Sequence, residues 1–509
     1  MKLLSLRLCE HDSNIALYND GIVSYLKTER VKQLKHHGYN NFYEWKDDLK
    51  TYFGVDVKDI DEISIVLSHS PTISNPKPFV YSKTDVLDVD CPVYKIEHHY
   101  AHTLSAWMFD DTEYQIVMDG MGEHYDNGKG CIWSIYKDYE LVHAEYSRSL
   151  QKSYNLLHKY GYPSLGSLND AVADALGIEG MGLDVSGKLM SLQSFGSFDC
   201  EFYEKHIKHK TIFDMLKVFD PDIWIKHRGK CIANNTKLDW ARTIHESIPE
   251  LIINTMESQT DIERNSKILF TGGCAQNVLW NTELKKHWPN LVVAPHSADE
   301  GLALGALKWL MNKHNVQGQI QNFPYAQRDE VPPDEPTDET IENTARLLAD
   351  GKIVGWYQGH GEIGPRALGN RSILMHPNID NGKDIINQRV KNREKYRPFG
   401  CTILKEYQDE WIDLPFDSPY MMFVGKMKKP LSSICHIDDT TRHQTLGNEN
   451  PIFRKLIEKF HELTGYPLLL NTSLNVNGRP IAGSFEDAYE VLQNTDLDYL
   501  IYGNTEMRK

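Results

Sequence analysis

Two groups of residues in this chain have types and spacings that could do chemistry. The first is the segment IEHHYAHTLSAWMF (96–109), which carries His98 and His102 four residues apart. The apolar rhythm after it predicts a helix, and residues four apart share a helix face, so both imidazoles can converge on one metal ion. His99 points elsewhere and is placed to meet a substrate. Imidazole suits borderline divalent metals, including iron and zinc. A third ligand must come from distant sequence. Asp299, in PHSADEGLALGAL just ahead of a glycine and a helix-like run, is the candidate. Taken alone, the spacing also fits two helix histidines that only pack and hydrogen-bond.

The second group is cationic. Arg366, Arg371, Lys391, Arg393, Lys395, Arg397 and Arg442 put positive charge into one stretch of a protein whose formal net charge is −16. Several follow strand-like or turn segments rather than one helical face. Guanidinium groups neutralise phosphate oxygens through forked hydrogen bonds, so the set reads as a phosphate site. Gly364 and Gly369 flank Arg366 and would let backbone approach an anion closely. Asn471, Thr472 and Ser473 follow the apolar run LLL and offer small donors at a strand end. Surface ion pairing with the many acidic residues explains any one of these cations, but not the whole set.

The elements that must hold these groups alternate strand and turn. LLSLRL leads into CEHDSN, and NIALYNDGIVSYLK reads as a hairpin centred on Asn19-Asp20-Gly21. YQIVMDGMGEH (114–124) is an apolar strand ending in Asp119, Gly120 and Gly122. KILFTGGCAQN (267–277) is another, ending in Gly272, Gly273 and Asn277 ahead of a helix. Such strand-to-loop transitions suit an α/β fold that handles a nucleotide, and those six residues are its candidate contacts. Residues 200–260 have helical periodicity and predict a mostly helical insertion. GLALGALKWLMNKH (301–314) is helix-like, and AQRDEVPPDEPTDETI (325–340) is Pro-rich and acidic, the composition of an extended linker. The expected organisation is therefore a domain over 1–325, a linker over 326–340 and a domain over 341–509.

Bulk properties narrow the class. A chain of 509 residues is too long for one ordinary core. No run of about 18 apolar residues is present, so no membrane span is expected, and the apolar start MKLLSLRL is too short for a signal peptide. The eight cysteines are scattered with no CxxC pair, which disfavours a zinc ribbon or disulfide scaffold and favours a reduced, cytoplasmic setting. The negative charge disfavours broad affinity for nucleic-acid phosphates.

The HHYAH block, preceded by EHDSNIALYNDG and followed by DGMGEH, resembles the NodU/CmcH/TobZ family of O-carbamoyltransferases. So does the ordered set GEIGPRALGNRSILMHP, INQRVKNREKYRPFG, SPYMMFV, HIDDTTRHQTL and PLLLNTSLNVNGRPIAGS across 361–484. The resemblance implies an N-terminal Kae1-like domain of the actin/hexokinase-like ATPase class and a C-terminal YrdC-like α/β domain. It implies a metal, usually Fe2+, on His98, His102 and Asp299, with Asp299 in a DEG where relatives commonly have DxG. It places His11, in the HDS segment, at the acceptor hydroxyl, a role a neutral imidazole can fill as base. Glu29-Arg30 and Lys35-His36 match the family's EER and KH elements. Lys391, Arg442 and Ser473 would contact carbamoyl phosphate or the ATP phosphates, with Arg366 in the same pocket; Arg371, Arg393, Arg397 and Asn471 are further candidates there. Met421 would line the adenine or carbamoyl-adenylate site. The loop SGKLMSLQSFG (186–196) departs from the family's GEYKVMGLASYG, which leaves the acceptor undefined.

The chemistry so implied has two steps. Carbamoyl phosphate and Mg2+-ATP form carbamoyl-adenylate in the C-terminal domain, and the carbamoyl group passes to a hydroxyl of a sugar or antibiotic-like metabolite in the N-terminal domain. A hydroxymethylated pyrimidine, free or in DNA, is an alternative acceptor, although charge does not favour nucleic acid. Threonylcarbamoyl-type tRNA modification and a non-catalytic ATP-dependent switch are rival readings. A homodimer is a compatible assembly.

Overall fold

The computed structural model describes every residue except 9–10, 68–79, 84–86, 110, 121, 123–128, 149–163, 181, 213 and 215–235. Glu10, Met121, Glu123 and His124 of the motifs above, and the stretch 215–235 of the expected helical insertion, lie outside the described residues. The chain is a mixed α/β protein with three sheets. The first contains β1 (Lys2–Arg7), β2 (Asn14–Asn19), β3 (Ile22–Lys27), β4 (Glu62–Val66), β5 (Val80–Lys83) and β6 (Val93–Ile96), in the order β3-β2-β1-β4-β6-β5. The expected hairpin is β2–β3, antiparallel, and its turn needs left-handed backbone at Asp20 (φ 46°) and Gly21 (φ 90°), which glycine supplies without strain.

The second sheet has β7 (Tyr114–Met118), β8 (Lys129–Lys137), β9 (Glu140–Arg148), β10 (Ile268–Thr271) and β11 (Leu291–Val292), in the order β11-β10-β7-β8-β9. β10 runs parallel to β7 and β11, so the carboxyl ends of β7 and β10 lie side by side. Loops leave a parallel sheet at that edge, and sites form there.

The third sheet comprises β12 (Val354–Tyr357), β13 (Arg371–Met375), β14 (Gly400–Leu404), β15 (Ile412–Asp413), β16 (Val424–Met427), β17 (Thr440–Leu446), β18 (Leu468–Ser473), β19 (Tyr499–Tyr502) and β20 (Thr505–Arg508). Its order is β15-β16-β17-β14-β18-β13-β12-β19-β20. Helix Pro451–Thr464 buries Phe453, Leu456, Ile457 and Phe460, spaced to share one stripe, against Trp356, Leu374, Leu404, Leu446 and Leu469 of the sheet. Asn450 caps its start, Pro451 occupies the first turn, and Gly465 closes its end with φ 77°.

Contacts divide the chain into two compact units. One is Met1–Ile65, Lys83–Tyr94 and Glu300–Lys509; the other is Val66–Ser82 and Lys95–Asp299. This differs from the contiguous division expected at 326–340. The Pro-rich stretch is extended, as its composition demands, but residues leading into it are pinned along β3. Val23 N donates to Gln319 O (2.9 Å) and Arg328 N to Tyr25 O (2.8 Å). The Gln327 amide brackets the Lys27 backbone, accepting from its N at 2.8 Å and donating to its O at 3.1 Å. Helix Leu302–Lys313 stays with the same unit: Ala303 N donates to Asn14 Oδ1 (3.0 Å) and Ser64 Oγ to Ala306 O (3.0 Å). Among the described residues, no helix is long and apolar enough to cross a membrane.

Candidate functional site

In the unit containing Lys95–Asp299, helix His98–Leu104 begins where Glu97 caps it, its carboxylate accepting from Tyr100 N at 2.6 Å. One turn separates His98 from His102, and both Nε2 atoms reach the same carboxylate, Asp119 Oδ2, at 3.1 Å. Asp299, at the head of the 3-10 turn Asp299–Gly301, lies 3.5 Å from His98 and 3.6 Å from His102. Ligand atoms of these four residues all fall within 4.8 Å of one another. Burial opposes charge on His102, yet Asp119 and Asp299 outweigh it and push the ring up to about 9. Burial would raise the Asp119 acid, but His102 and His98 hold it well below the usual carboxylate range. Two imidazoles and two carboxylates with no built-in cation form a donor set that fits a divalent ion such as Fe2+ or Zn2+. His102 Nδ1 is buried without a hydrogen-bond partner, so the other ring nitrogen is the one committed to the centre.

The glycines that were candidate nucleotide contacts build this centre. A Cβ on Gly272, whose φ is 93°, would lie 2.3 Å from Met118 O, and one on Gly273 would lie 2.8 Å from Asp119 Oδ1. Their bare backbone lets the end of β10 close on the end of β7. Gly120 N donates to Asp119 Oδ1 at 2.6 Å, and a Cβ on Gly122 would lie 2.5 Å from His99 Nε2. Asn277 caps helix Val278–His287 through Oδ1, accepting from Leu279 N (3.2 Å) and Trp280 N (3.3 Å), while its amide donates to His245 Nε2 (2.8 Å). Its side chain is thus committed to the fold. His99 does not face a substrate space either: it is fully buried, and burial, then the rings of His98 and His102, push it down to about 3. Its Nδ1 meets Ser134 Oγ at 2.8 Å.

The other unit gathers the cations. Burial, then Arg397, pushes Arg366 down to about 10 and Arg393 down to about 9. Burial and the fields of Arg366, Arg393 and Arg397 hold Arg442 well below the usual guanidinium range. Lys391 is 3% exposed and is lowered by burial, then by Arg393 and Arg397. Its ammonium donates to Ser473 O (2.7 Å), Ser473 Oγ (3.3 Å), Asn475 O (2.8 Å) and Asn475 Oδ1 (2.5 Å), all uncharged acceptors. Asn471 is buried and bonds Thr402 Oγ1 at 2.9 Å, stitching β18 to β14. Met421 is buried with φ 56° and packs with Tyr325 and Leu368. The expected role of Arg371 needs correction. Its guanidinium is 0% exposed, pairs with Asp329 at 3.0 Å, donates to the carbonyls of Gln358, Asn370, Glu330 and Gly359, and lies 3.6 Å from the centre of the Tyr357 ring. It lies in the core on β13, where both terminal nitrogens are committed to Asp329 and backbone carbonyls and the remaining Nε is buried.

His11 lies in this same unit, one third exposed, its Nδ1 3.0 Å from Asp12 Oδ2. Among known proteins, models of the carbamoyltransferase N-terminus and C-terminus match residues 78–307 and 345–509, together more than half of the 509 residues. The chain belongs to the carbamoyltransferase family. It is 27% identical to nodulation protein NolNO of Sinorhizobium fredii over 98% of this chain and 79% of that one. It is also 27% identical to the 3'-hydroxymethylcephem-O-carbamoyltransferase of Streptomyces clavuligerus over 64% of this chain and 65% of that one. With nodulation protein U of Bradyrhizobium diazoefficiens it shares 34% over 44% of this chain and 41% of that one. Among solved structures, HypF of T. kodakarensis aligns at 16% identity and a TM-score of 0.40, covering 61% of this chain and 48% of that one.

Two members of this carbamoyltransferase's sites escaped sequence reasoning in their present roles. Asp119 was placed with a nucleotide because a strand ending in Asp-Gly looks like a phosphate turn. What marks it as a companion of His98 and His102 is the parallel pairing of β7 with β10, which no local motif encodes. Asn475 sits in NTSLNVNG two residues after Ser473, beyond the end of β18, where Ser473 Oγ donates to its Oδ1 at 2.7 Å.

Proposed function

We propose that this carbamoyltransferase joins carbamoyl phosphate and ATP into carbamoyl-adenylate among Arg366, Lys391, Arg393, Arg397 and Arg442. The carbamoyl group then goes to a hydroxyl of a small acceptor, a sugar or antibiotic-like metabolite. The observation that carries the reading is the cation cluster itself. Burial and the neighbouring guanidiniums depress Arg366, Lys391, Arg393 and Arg442, while Glu394 lies 3.5 Å from Arg397 and Glu300 acts on Arg366. Half-buried positive charges gathered this closely suit an anionic ligand with several charges. ATP with Mg2+ and a second phosphate compound meets that demand.

Water cleaves carbamoyl phosphate to carbamate and inorganic phosphate; a carbamate oxygen then attacks the ATP α-phosphorus, the P–O bond to the β-phosphate breaks, and pyrophosphate leaves. The arginines place fixed positive charge where charge develops on phosphoryl oxygens. Lys391 is held by neutral carbonyls and amides, so its hydrogen bonds bring no carboxylate to compete with an anionic ligand. In the second step His11 takes the hydroxyl proton as the acceptor oxygen bonds the carbamoyl carbon and AMP departs. A divalent ion such as Fe2+, held by His98, His102, Asp119 and Asp299, supplies Lewis-acid polarisation when bound. The resemblance of the chain to enzymes named as O-carbamoyltransferases supports the acceptor being a hydroxyl.

AMP and pyrophosphate release is the test. Release that requires carbamoyl phosphate, and is lost in Arg442→Met, supports the reading. Release that requires threonine and bicarbonate instead, or ATP hydrolysis to ADP, contradicts it. An extract of the source organism incubated with both substrates would then name the acceptor by the mass gain of one carbamoyl group.

A further inference from the structure

Asp12 is the hub of a second cluster that lies in the same unit as the cations. Its side chain is 9% exposed and its backbone is left-handed, φ 53°. Three donors converge on it: His11 Nδ1 at 3.0 Å, His36 Nδ1 at 3.2 Å and Lys27 Nζ at 3.3 Å. The loop cannot swing away. Asn14 Nδ2 donates to Asp12 O (2.6 Å), Ser13 N to His37 O (2.8 Å) and Thr28 N to Ser13 O (3.1 Å), while His36 N donates to Glu29 Oε2 (3.0 Å). Lys27 in turn pairs with Glu29 at 3.1 Å.

We infer that Asp12 is a positioning residue which fixes the His11 proton on Nδ1, leaves Nε2 as the base toward the acceptor hydroxyl, and holds His36 in the same tautomer as a second proton carrier. This rests on the role proposed above for His11. The tautomer follows from the acceptor. A carboxylate without a proton can only accept, so each imidazole nitrogen beside it must carry the hydrogen. Burial opposes ionisation of Asp12, but Lys27, His11 and His36 together keep it ionised. Charge counting adds the second carrier. Asp12 and Glu29 bring two negative charges against one on Lys27, and Glu300 adds a further negative field there. One proton distributed over His11 and His36 offsets part of that negative charge. The hydroxyl proton passing to His11 Nε2 therefore enters a cluster able to hold it, while the C–O bond forms and AMP leaves.

The test uses the full chain labelled with 15N-histidine, with His11 signals assigned by their disappearance in His11→Gln. Long-range proton–nitrogen correlations separate a ring nitrogen that bears hydrogen from a bare one. The wild type is expected to show hydrogen on Nδ1 and a bare Nε2. In Asp12→Asn the amide donates to Nδ1 and the pattern reverses, while Asp12→Glu keeps it. In His36→Gln one competitor for Asp12 is gone, so the His11 protonation midpoint rises by about half to one pH unit. A wild-type His11 with bare Nδ1, an unchanged pattern in Asp12→Asn, or a midpoint in His36→Gln that does not rise would each overturn the inference. No acceptor or ATP is needed, so a chain that fails to transfer carbamoyl but shows the wild-type pattern and both variant shifts refutes the function and leaves the positioning standing.

Discussion

Arg442 and Arg371 come from the same cation-rich stretch, and their replacement by methionine should move stability in opposite directions. Arg393, a neighbour of Arg442, sits near 9 against a usual 12.5, through burial and then Arg397. At ~1.36 kcal/mol per pH unit that is roughly 4–5 kcal/mol of cost, which solvent at a part-exposed guanidinium screens to about half or less. Arg442 feels Arg366, Arg393 and Arg397. An apolar side chain of similar volume relieves those repulsions, so Arg442→Met should gain about 1–2 kcal/mol. Arg371→Met instead strands Asp329, a carboxylate at 0% exposure whose partner is the Arg371 guanidinium at 3.0 Å, and should lose about 3–5 kcal/mol. Urea unfolding followed by tryptophan fluorescence gives both values. The matched functional readout is ATP: it should raise the wild-type unfolding midpoint and leave that of Arg442→Met unmoved. Equal destabilisation by both substitutions, or ATP stabilisation that survives Arg442→Met, would refute the assignment of one arginine to ligand and the other to fold.

Other consequences follow from the same geometry. His245 and His443 are buried and neutral, burial pushing them down to about 3 and about 4. The unfolded chain binds their protons from pH ~6.5 downward, so stability should fall by about 2 kcal/mol for each between pH 8 and 5, and His245→Gln should remove one share of that slope in pH-dependent urea unfolding. Asp119→Asn should weaken metal retention about 10- to 100-fold, measured by mass spectrometry of dialysed protein; full retention would mean that His98, His102 and Asp299 hold the ion alone. Gly272→Ala brings a Cβ to 2.3 Å from Met118 O at φ 93° and should cost about 2 kcal/mol or more and reduce bound metal, because β7 and β10 must part.

The sequence made the His98–His102–Asp299 cluster legible where spacing and structure share a period. His98 and His102 are four apart on one helix, and Asp299 opens the turn before helix Leu302–Lys313. It was less informative where a residue's partner is chosen by sheet pairing. Asp119 and Gly273 meet through β7 and β10, separated by about 150 residues, so by local sequence alone the Asp-Gly turn reads as a phosphate turn. Arg371 shares a motif with Arg366, yet the pleat of β13 sends it to the core. Residues 315–330 look like the approach to a linker, but their backbone hydrogen bonds to β3 tie them to the first strands. The grouping of Arg366, Lys391, Arg393, Arg397 and Arg442 rests on many residues rather than on the orientation of one.

The most direct measurement is exchange of labelled pyrophosphate into ATP by the metal-depleted enzyme with no acceptor present. If the cations around Arg442 assemble carbamoyl-adenylate, exchange requires carbamoyl phosphate, persists without the His98–His102 metal and disappears in Arg442→Met. Exchange that proceeds without carbamoyl phosphate, or none at all when both substrates and Mg2+ are supplied, would contradict a phosphate-activating role for that cluster.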